Sequence, residues 1–346
     1  MTTSLHACLR FTLLCLCCLS IGLAQEVDSL KKKKARKLFR SNDMLELKLS
    51  LDMPSLLGDR GKDADYHEAA LSWKDADGAY TIPVQVKARG NFRRDTANCE
   101  FPPLRMKFDK DASKGTLFTK LGKLKLVTHC QDENLILKEY LVYRMYNQLT
   151  DISFRVRLAR ITYQDSTNQI APETKFAFFI EDADDMAKRN GCDRLKTGSV
   201  MSSEADREST TRLYMFQYLI GNRDWDIRLQ KNMKVIVPPG GEPAMGVPYD
   251  FDWSEIVGAS YPQLERYLGN SFKFRKFRNL CRTPEEFDAM FNEFRDTKAA
   301  LIDLYTTFEH ISEKDIKKAV KYIEEFYEII EDPKKVEKEF LQACRE

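Results

Sequence analysis

Several segments of the chain alternate apolar and polar residues with a period of two. Leu45-Glu-Leu-Lys-Leu-Ser-Leu51 is one, and residues 81–87 repeat the pattern through Ile82, Val84 and Val86. Leu104-Arg-Met-Lys-Phe108 and Lys123-Leu-Lys-Leu-Val127 complete a first group of four. This spacing puts every apolar side chain on one side of an extended backbone, so each segment predicts a half-buried strand. In the third, Arg105 and Lys107 then share the face opposite Leu104, Met106 and Phe108.

The pattern changes after residue 131. Residues 132–148 predict one long amphipathic helix, with Asp132 as its N-cap and Leu135, Tyr140, Tyr143 and Tyr146 among its bulky positions. Strands return at 154–163 and 175–180. Helices follow at 184–189, 203–220, 284–308, 313–330 and 334–344, interrupted by short β segments at 233–237 and 246–251. Ile180-Glu-Asp182 marks the change from β-rich to helical sequence, and no internal repeat is visible. The fold class expected is α+β, with a β-rich part over 45–180 and a helical part over 181–346.

The first residues follow a different logic. A lone basic group, Arg10, precedes an apolar run over 11–23, and Gly22 and Ala24 supply the small residues a signal peptidase reads. The run is shorter than the roughly 20 residues needed to cross a bilayer. A cleavable signal peptide over 1–24 is therefore expected, and with it a secreted or periplasmic protein without a later membrane span. Residues 25–44 then form a basic arm carrying Lys31 to Lys34, Arg36 and Lys37. The net charge of the 346 residues is only +2, so no global field favours nucleic acid.

Nine cysteines are present. Those beyond the leader, Cys99, Cys130, Cys192, Cys281 and Cys344, have neither zinc spacing nor the density of a disulfide framework. Mostly buried thiols are expected, although an oxidising compartment would permit one or two bridges. His67, His129 and His310 stand too far apart to form a metal motif, and no nucleophile elbow or Walker loop occurs.

Three constellations carry candidate chemistry. The densest lies between Gly221 and Ser254. It holds Asn222, Asp224, Asp226 and Asn232 on one side of a Pro-Pro-Gly-Gly turn, and Asp250 and Asp252 on the other. On extended backbone the last two point the same way. Carboxylates and an amide oxygen on two arms of a hairpin suit a hard divalent ion; capping and turn formation is the plainer use of the same residues. The second is Lys87-Ala-Arg-Gly-Asn-Phe-Arg-Arg94, a basic glycine turn that could hold phosphates or simply form a hairpin tip. The third is a pairing of Lys107 with Glu139, either a phosphate-positioning pair or an ordinary surface ion pair.

Arg89-Gly90-Asn91, the basic strand through Lys107, and Lys123 to Val127 before a long helix together resemble the CotH family of atypical spore-coat kinases. So do Asn222-Arg-Asp-Trp225 and Tyr249-Asp-Phe-Asp252. The likeness spans about residues 45–261 and is nearer to secreted relatives from Bacteroidota-type bacteria. It implies a two-lobed, protein-kinase-like fold that uses ATP with Mg or Mn to phosphorylate an exported protein or glycan. It also implies roles. Asp224 would be the base, and Asn232, Asp250 and Asp252 metal ligands, with Asp226 an alternative occupant of either role. Lys107 would pair with phosphate and with Glu139, Arg89, Gly90 and Asn91 would lie near the phosphates, and Glu181 would sit at a nucleotide hinge. The sequence departs from ordinary kinases in having no Gly-x-Gly-x-x-Gly and no His-Arg-Asp, and in a longer gap from Asp224 to Asn232. Two other readings stay open: a non-catalytic, pseudokinase-type envelope binding module, and a glycosyltransferase using Asp250-Phe-Asp252 on a sugar nucleotide. The alternating strand–helix order of a nucleotide-sugar fold is not visible.

Overall fold

The computed structural model describes residues 35–258, 275–278 and 280–342. The expected signal peptide, the Lys31 to Lys34 run and Cys344 lie outside the described residues. Among those described, no helix is long and apolar enough to cross a membrane.

Seven strands form a closed barrel in the order β1-β2-β3-β4-β5-β7-β6. They are β1 (Leu45–Leu51), β2 (His67–Asp75), β3 (Gly78–Ala88), β4 (Leu104–Phe108), β5 (Lys123–Val127), β6 (Val156–Asp165) and β7 (Glu173–Ile180). Neighbours are antiparallel except β1 and β6, which close the barrel in parallel from Leu45↔Ala159 to Leu51↔Asp165. Closure leaves no unpaired strand edge. The alternation seen in the sequence does the packing: Leu47, Leu49, Val84, Val86, Met106, Leu124 and Leu126 all enter the barrel core. Strand β2 has no counterpart in the sequence reading. Its only buried residues are Leu71 and Trp73, too few to stand out as a period-two signal.

Strands β6 and β7 are buried on both faces. Ile161, Ala177 and Phe179 point into the barrel, while Val156, Leu158, Phe178 and Ile180 point into a second core shared with the helices. That second core closes around α2 (Glu133–Leu149), reached after the single-turn-and-a-half α1 (Met53–Gly58). Asp132 caps α2 through the Asn134 N–H. The expected amphipathic helix forms, with a buried face wider than a single stripe. Ile136, Leu137, Tyr140, Leu141, Val142, Tyr143, Met145 and Tyr146 are all buried, because β7 covers one side of the helix and a C-terminal helix the other. The polar strip left is narrow: Asn134 and Gln148 are exposed, and Lys138, Arg144 and Asn147 half-buried.

Beyond Ile180 come α3 (Ala183–Arg189), α4 (Arg207–Leu219), α5 (Pro284–Thr306) and α6 (Glu313–Ile330), then a short α7 (Pro333–Val336) that runs into a π turn over Glu337–Leu341. Asp182, Asp206, Thr283 and Ser312 cap α3 to α6 in turn, and Thr283 forms a capping box with Glu286. A small sheet joins β8 (Asp193–Arg194), which precedes α4, to β9 (Met233–Val237) and β10 (Met245–Pro248), which lie between α4 and α5 in the chain. The molecule is thus α+β: a seven-stranded barrel followed by a helical part.

The cysteine expectation is corrected. Cys99 and Cys130 form a disulfide, Cys281 is disulfide-bonded as well, and Cys192 is a buried thiol.

Candidate functional site

A cleft of about 750 Å³ opens where the loop after β3, the outer face of β4–β5 and the β9–β10 hairpin converge. Strand β3 ends at Ala88, and Arg89 is held by its N–H on the Pro103 carbonyl, 2.8 Å away. Gly90 then turns with φ 99°, a conformation that strains any residue with a Cβ. The loop it starts is tied down by the Cys99–Cys130 disulfide to the chain just before α2.

From this loop Arg93 reaches inward and is buried. Its guanidinium donates to Glu139 Oε2 on α2 at 3.0 Å and, through Nε, to Asp252 Oδ2 at 3.1 Å. One cation cannot neutralise two buried carboxylates. Burial pushes the Glu139 carboxyl up, and burial together with Asp250 and Glu139 pushes Asp252 up to about 8, against the pull of Arg93. The pair therefore retains a proton into the neutral range.

The hairpin delivers the acids. After α4 the chain turns at Gly221, φ 65°, where a Cβ would overlap the Tyr322 hydroxyl. Asn222, buried, accepts the Asp224 N–H through Oδ1 at 2.9 Å, and its carbonyl accepts the Trp225 indole N–H at 3.1 Å. Trp225 is buried and anchors the loop, leaving Asp224 toward the cleft. Asn232 Nδ2 donates to the Asp224 carbonyl at 2.7 Å and to Oδ2 at 2.8 Å, and Lys231 is ion-paired with Oδ1. Across the hairpin, the Tyr249 N–H binds the Asn232 carbonyl. This brings Asn232 beside Asp250.

The hairpin brings a further correction. Strand β10 stops at Pro248, and Asp250 has φ 64°, so Asp250 and Asp252 do not share one face of an extended segment. The left-handed residue turns the chain. The Asp250 N–H binds the Tyr143 hydroxyl at 2.8 Å, and Phe251 goes fully into the core against Tyr143 and Phe216. The Asp250 side chain lines the cleft near Arg89 and Lys125, whereas Asp252 goes to Arg93.

Of the residues singled out in the sequence, Arg89, Gly90, Asn91, Glu139, Asp224, Asn232, Asp250 and Asp252 all line this cleft. Three do not. Lys107 stays on the exposed barrel wall, donating to Gln85 Oε1 at 2.9 Å, so no Lys107–Glu139 pair forms. Lys125, on β5, reaches the cleft instead. It lies opposite Arg105 on β4, one step of the same alternation nearer the site than Lys107, which lies opposite Lys123. Asp226 closes its own loop, exchanging backbone bonds with Lys231 and accepting the Leu229 N–H at 2.8 Å. Glu181 is buried in a two-pronged pair with Arg189, at 3.0 and 2.9 Å. Only its neighbour Ile180 touches the cleft.

Lys125 and Arg93 were both inside motifs read from the sequence, but nothing local assigned them these places. Lys125 sits 4.8 Å from the Tyr249 ring, with Lys234 on the same ring at 5.2 Å. Burial, then Arg89, Lys234 and Arg105, lower its ammonium to about 8, with Asp250 opposing. An added polyanion would hold that proton, so anion affinity should fall as pH rises through about 8. Lys125→Met should weaken tripolyphosphate binding about tenfold at pH 7, the worth of one charge-assisted contact, and flatten the pH dependence. Titration calorimetry across pH 6.5–9.5 reads both.

Eight cations line the cleft: Lys62, Lys87, Arg89, Arg93, Arg94, Arg105, Lys125 and Lys231. They face four acids, Glu139, Asp224, Asp250 and Asp252. Such a surplus suits an oligophosphate more than a neutral ligand. Among the described residues no cluster of three or more His, Cys, Asp or Glu could hold a metal by itself. With Asp252 committed to Arg93, the donors left for a hard ion are the Asp250 carboxylate and Asn232 Oδ1. This set fits magnesium, which keeps waters and takes its remaining ligands from phosphate.

No family model and no curated protein matches the chain. Among solved structures, the Helicobacter pylori proinflammatory kinase CtkA is similar to it with a TM-score of 0.37 and 9% identity, over 70% of this chain and 90% of that one. A likeness that loose carries no weight for activity.

Proposed function

We propose that the protein is a metal-dependent phosphotransferase that moves a phosphoryl group from a nucleoside triphosphate, ATP in the first instance, to a hydroxyl on an exported protein or glycan. The observation that carries this reading is the cation-rich cleft with Asp224 and Asn232 on one arm of a hairpin and Asp250 on the other. The residue-level resemblance to CotH kinases points the same way. The disulfide fits an exported protein, since such bonds persist in oxidising compartments.

Asp250 and Asn232 Oδ1 would hold Mg or Mn, which when bound spreads the charge of the phosphates. Arg89 and Lys125 bind the phosphate oxygens. Asp224 accepts the proton of the acceptor hydroxyl as its oxygen bonds to the γ-phosphorus. The bond from that phosphorus to the bridging oxygen breaks, and the nucleoside diphosphate leaves with the electron pair. Asn232 and Lys231 hold Asp224 in place.

Ligand binding to the folded state raises the melting temperature by mass action. ATP with magnesium should raise it by several degrees; ATP alone should do less, and Asp250→Asn should lose the metal-dependent part. No rise, or an equal rise with and without metal in both proteins, would leave a non-catalytic envelope binding module as the better reading.

A further inference from the structure

A second cleft, of about 420 Å³, lies on the other side of the Asp224 loop. Asp224, Lys231 and Asn232 line the first cleft, whereas Arg223 and residues 225 to 228 line the second. Arg223 and Asp224 are one peptide apart, about 3.8 Å between Cα atoms. The two clefts thus flank one loop, and a chain in the second lies against the residue that precedes Asp224.

The second cleft has its own chemistry. Arg223, Arg228, Lys276 and Arg278 line it, and Asp226 is the sole acid among the described residues that do. That carboxylate already accepts the Leu229 N–H. Arg278 lies over the Trp225 ring at 4.8 Å and donates to the Trp225 carbonyl, so it is fixed rather than swinging free. Burial and the nearness of Arg278 both depress the Arg223 guanidinium, as expected where cations crowd. Exposed apolar groups stand at the rim. Met201 is 46% exposed and lines the cleft, and Leu229 is 67% exposed beside Arg228. The Gln230 side chain donates to the Gly198 carbonyl at 3.1 Å, tying the two rim segments together.

We propose that this cleft docks an acidic polypeptide segment carrying an apolar side chain, and that the docked segment presents the acceptor hydroxyl to Asp224. The second half rests on the phosphotransferase reading; the first does not. The cation surplus selects carboxylates. Met201 and Leu229 select a partner with an aliphatic or aromatic side chain to cover them, which an acidic polysaccharide lacks. A sugar ring would need an open aromatic face, and Trp225 is only 3% exposed.

The test is anisotropy of fluorescein-labelled 12-residue peptides, in which a serine and a leucine are flanked by two to six Asp or Glu, without nucleotide. Binding should tighten with acid content and weaken at least tenfold between 0.05 and 0.5 M NaCl, because exposed charges are screened. Arg228→Glu with Lys276→Glu, both exposed positions, should weaken it at least tenfold. The same double variant should keep the metal-dependent rise in melting temperature with ATP, which shows that it folds. Equal binding of acidic peptides and their Gln-substituted versions, unchanged binding after charge reversal, or binding of polygalacturonate in place of peptide would each overturn the proposal. If charge reversal abolishes peptide binding while no nucleotide stabilises either protein, docking stands and the phosphotransferase reading falls.

Discussion

Replacing Arg93 with methionine should lower stability at pH 8 by about 3–5 kcal/mol, the usual cost of stranding buried charge. For a domain of this size that is roughly 6–15 °C in melting temperature. The reason is the arrangement it leaves behind. Glu139 and Asp252 are both buried, and Arg93 is the cation they share. Their folded-state carboxyls lie above the ordinary range, Asp252 at about 8 against 3.8. The folded protein thus binds the extra proton more tightly than the unfolded chain. Its contribution is complete below about pH 4 and is lost as pH rises through about 8. Without Arg93 both carboxyls can stay protonated in acid, so the penalty should shrink toward pH 5. Denaturant unfolding of both proteins at pH 5 and pH 8 measures the difference. A penalty independent of pH would show that the carboxylates do not depend on Arg93. Replacing all three residues with Met and Leu should recover much of the stability, since packed apolar groups often match a buried ion network. It should not recover nucleotide binding, because Arg93 sits in the cleft wall beside Arg89, for which phosphate binding is proposed.

Asp224→Asn should reduce phosphoryl transfer to an acceptor by about a hundredfold or more, the range for losing a positioned proton acceptor. The metal-dependent stabilisation by ATP should survive. Asp224 is turned to the hairpin's own Asn232 and Lys231, while Asp250 faces Arg89 and Lys125. On the proposed reading the two acids therefore divide the work, Asp224 in transfer and Asp250 in binding. The amide also removes the Lys231 pair, which at an exposed lysine is worth at most about 1 kcal/mol, so the fold should hold. Radiolabel transfer and thermal shift on the same preparation make the comparison. Full transfer by Asp224→Asn would remove it as the base; loss of both signals would make it a binding residue.

The elements themselves were largely written in the sequence. Leu45 to Leu51, Leu104 to Phe108 and Lys123 to Val127 form strands because one face of each must be apolar, and that demand is visible residue by residue. Asp132 and the Asp182 junction mark helix starts because a cap acts within a turn of its own position. Asp224, Asp250 and Asp252 were legible as neighbours lining one cleft because a hairpin brings its two arms together in space. What periodicity leaves open is which end of a strand meets the rest of the molecule. Lys107 and Lys125 obey the same alternation, and only barrel register sets Lys125 in the cleft and Lys107 on the outer wall. Asp226 and Asp224 are two residues apart, yet the left-handed turns at Gln230 and Asn232 fold one toward its own loop and the other toward the cleft. Arg93 with Glu139 and Asp252, Glu181 with Arg189, and Cys99 with Cys130 are pairings between distant or separately folded segments. Their partners are chosen by how the barrel seats on the helices, a long-range packing decision that leaves no periodic trace in the chain.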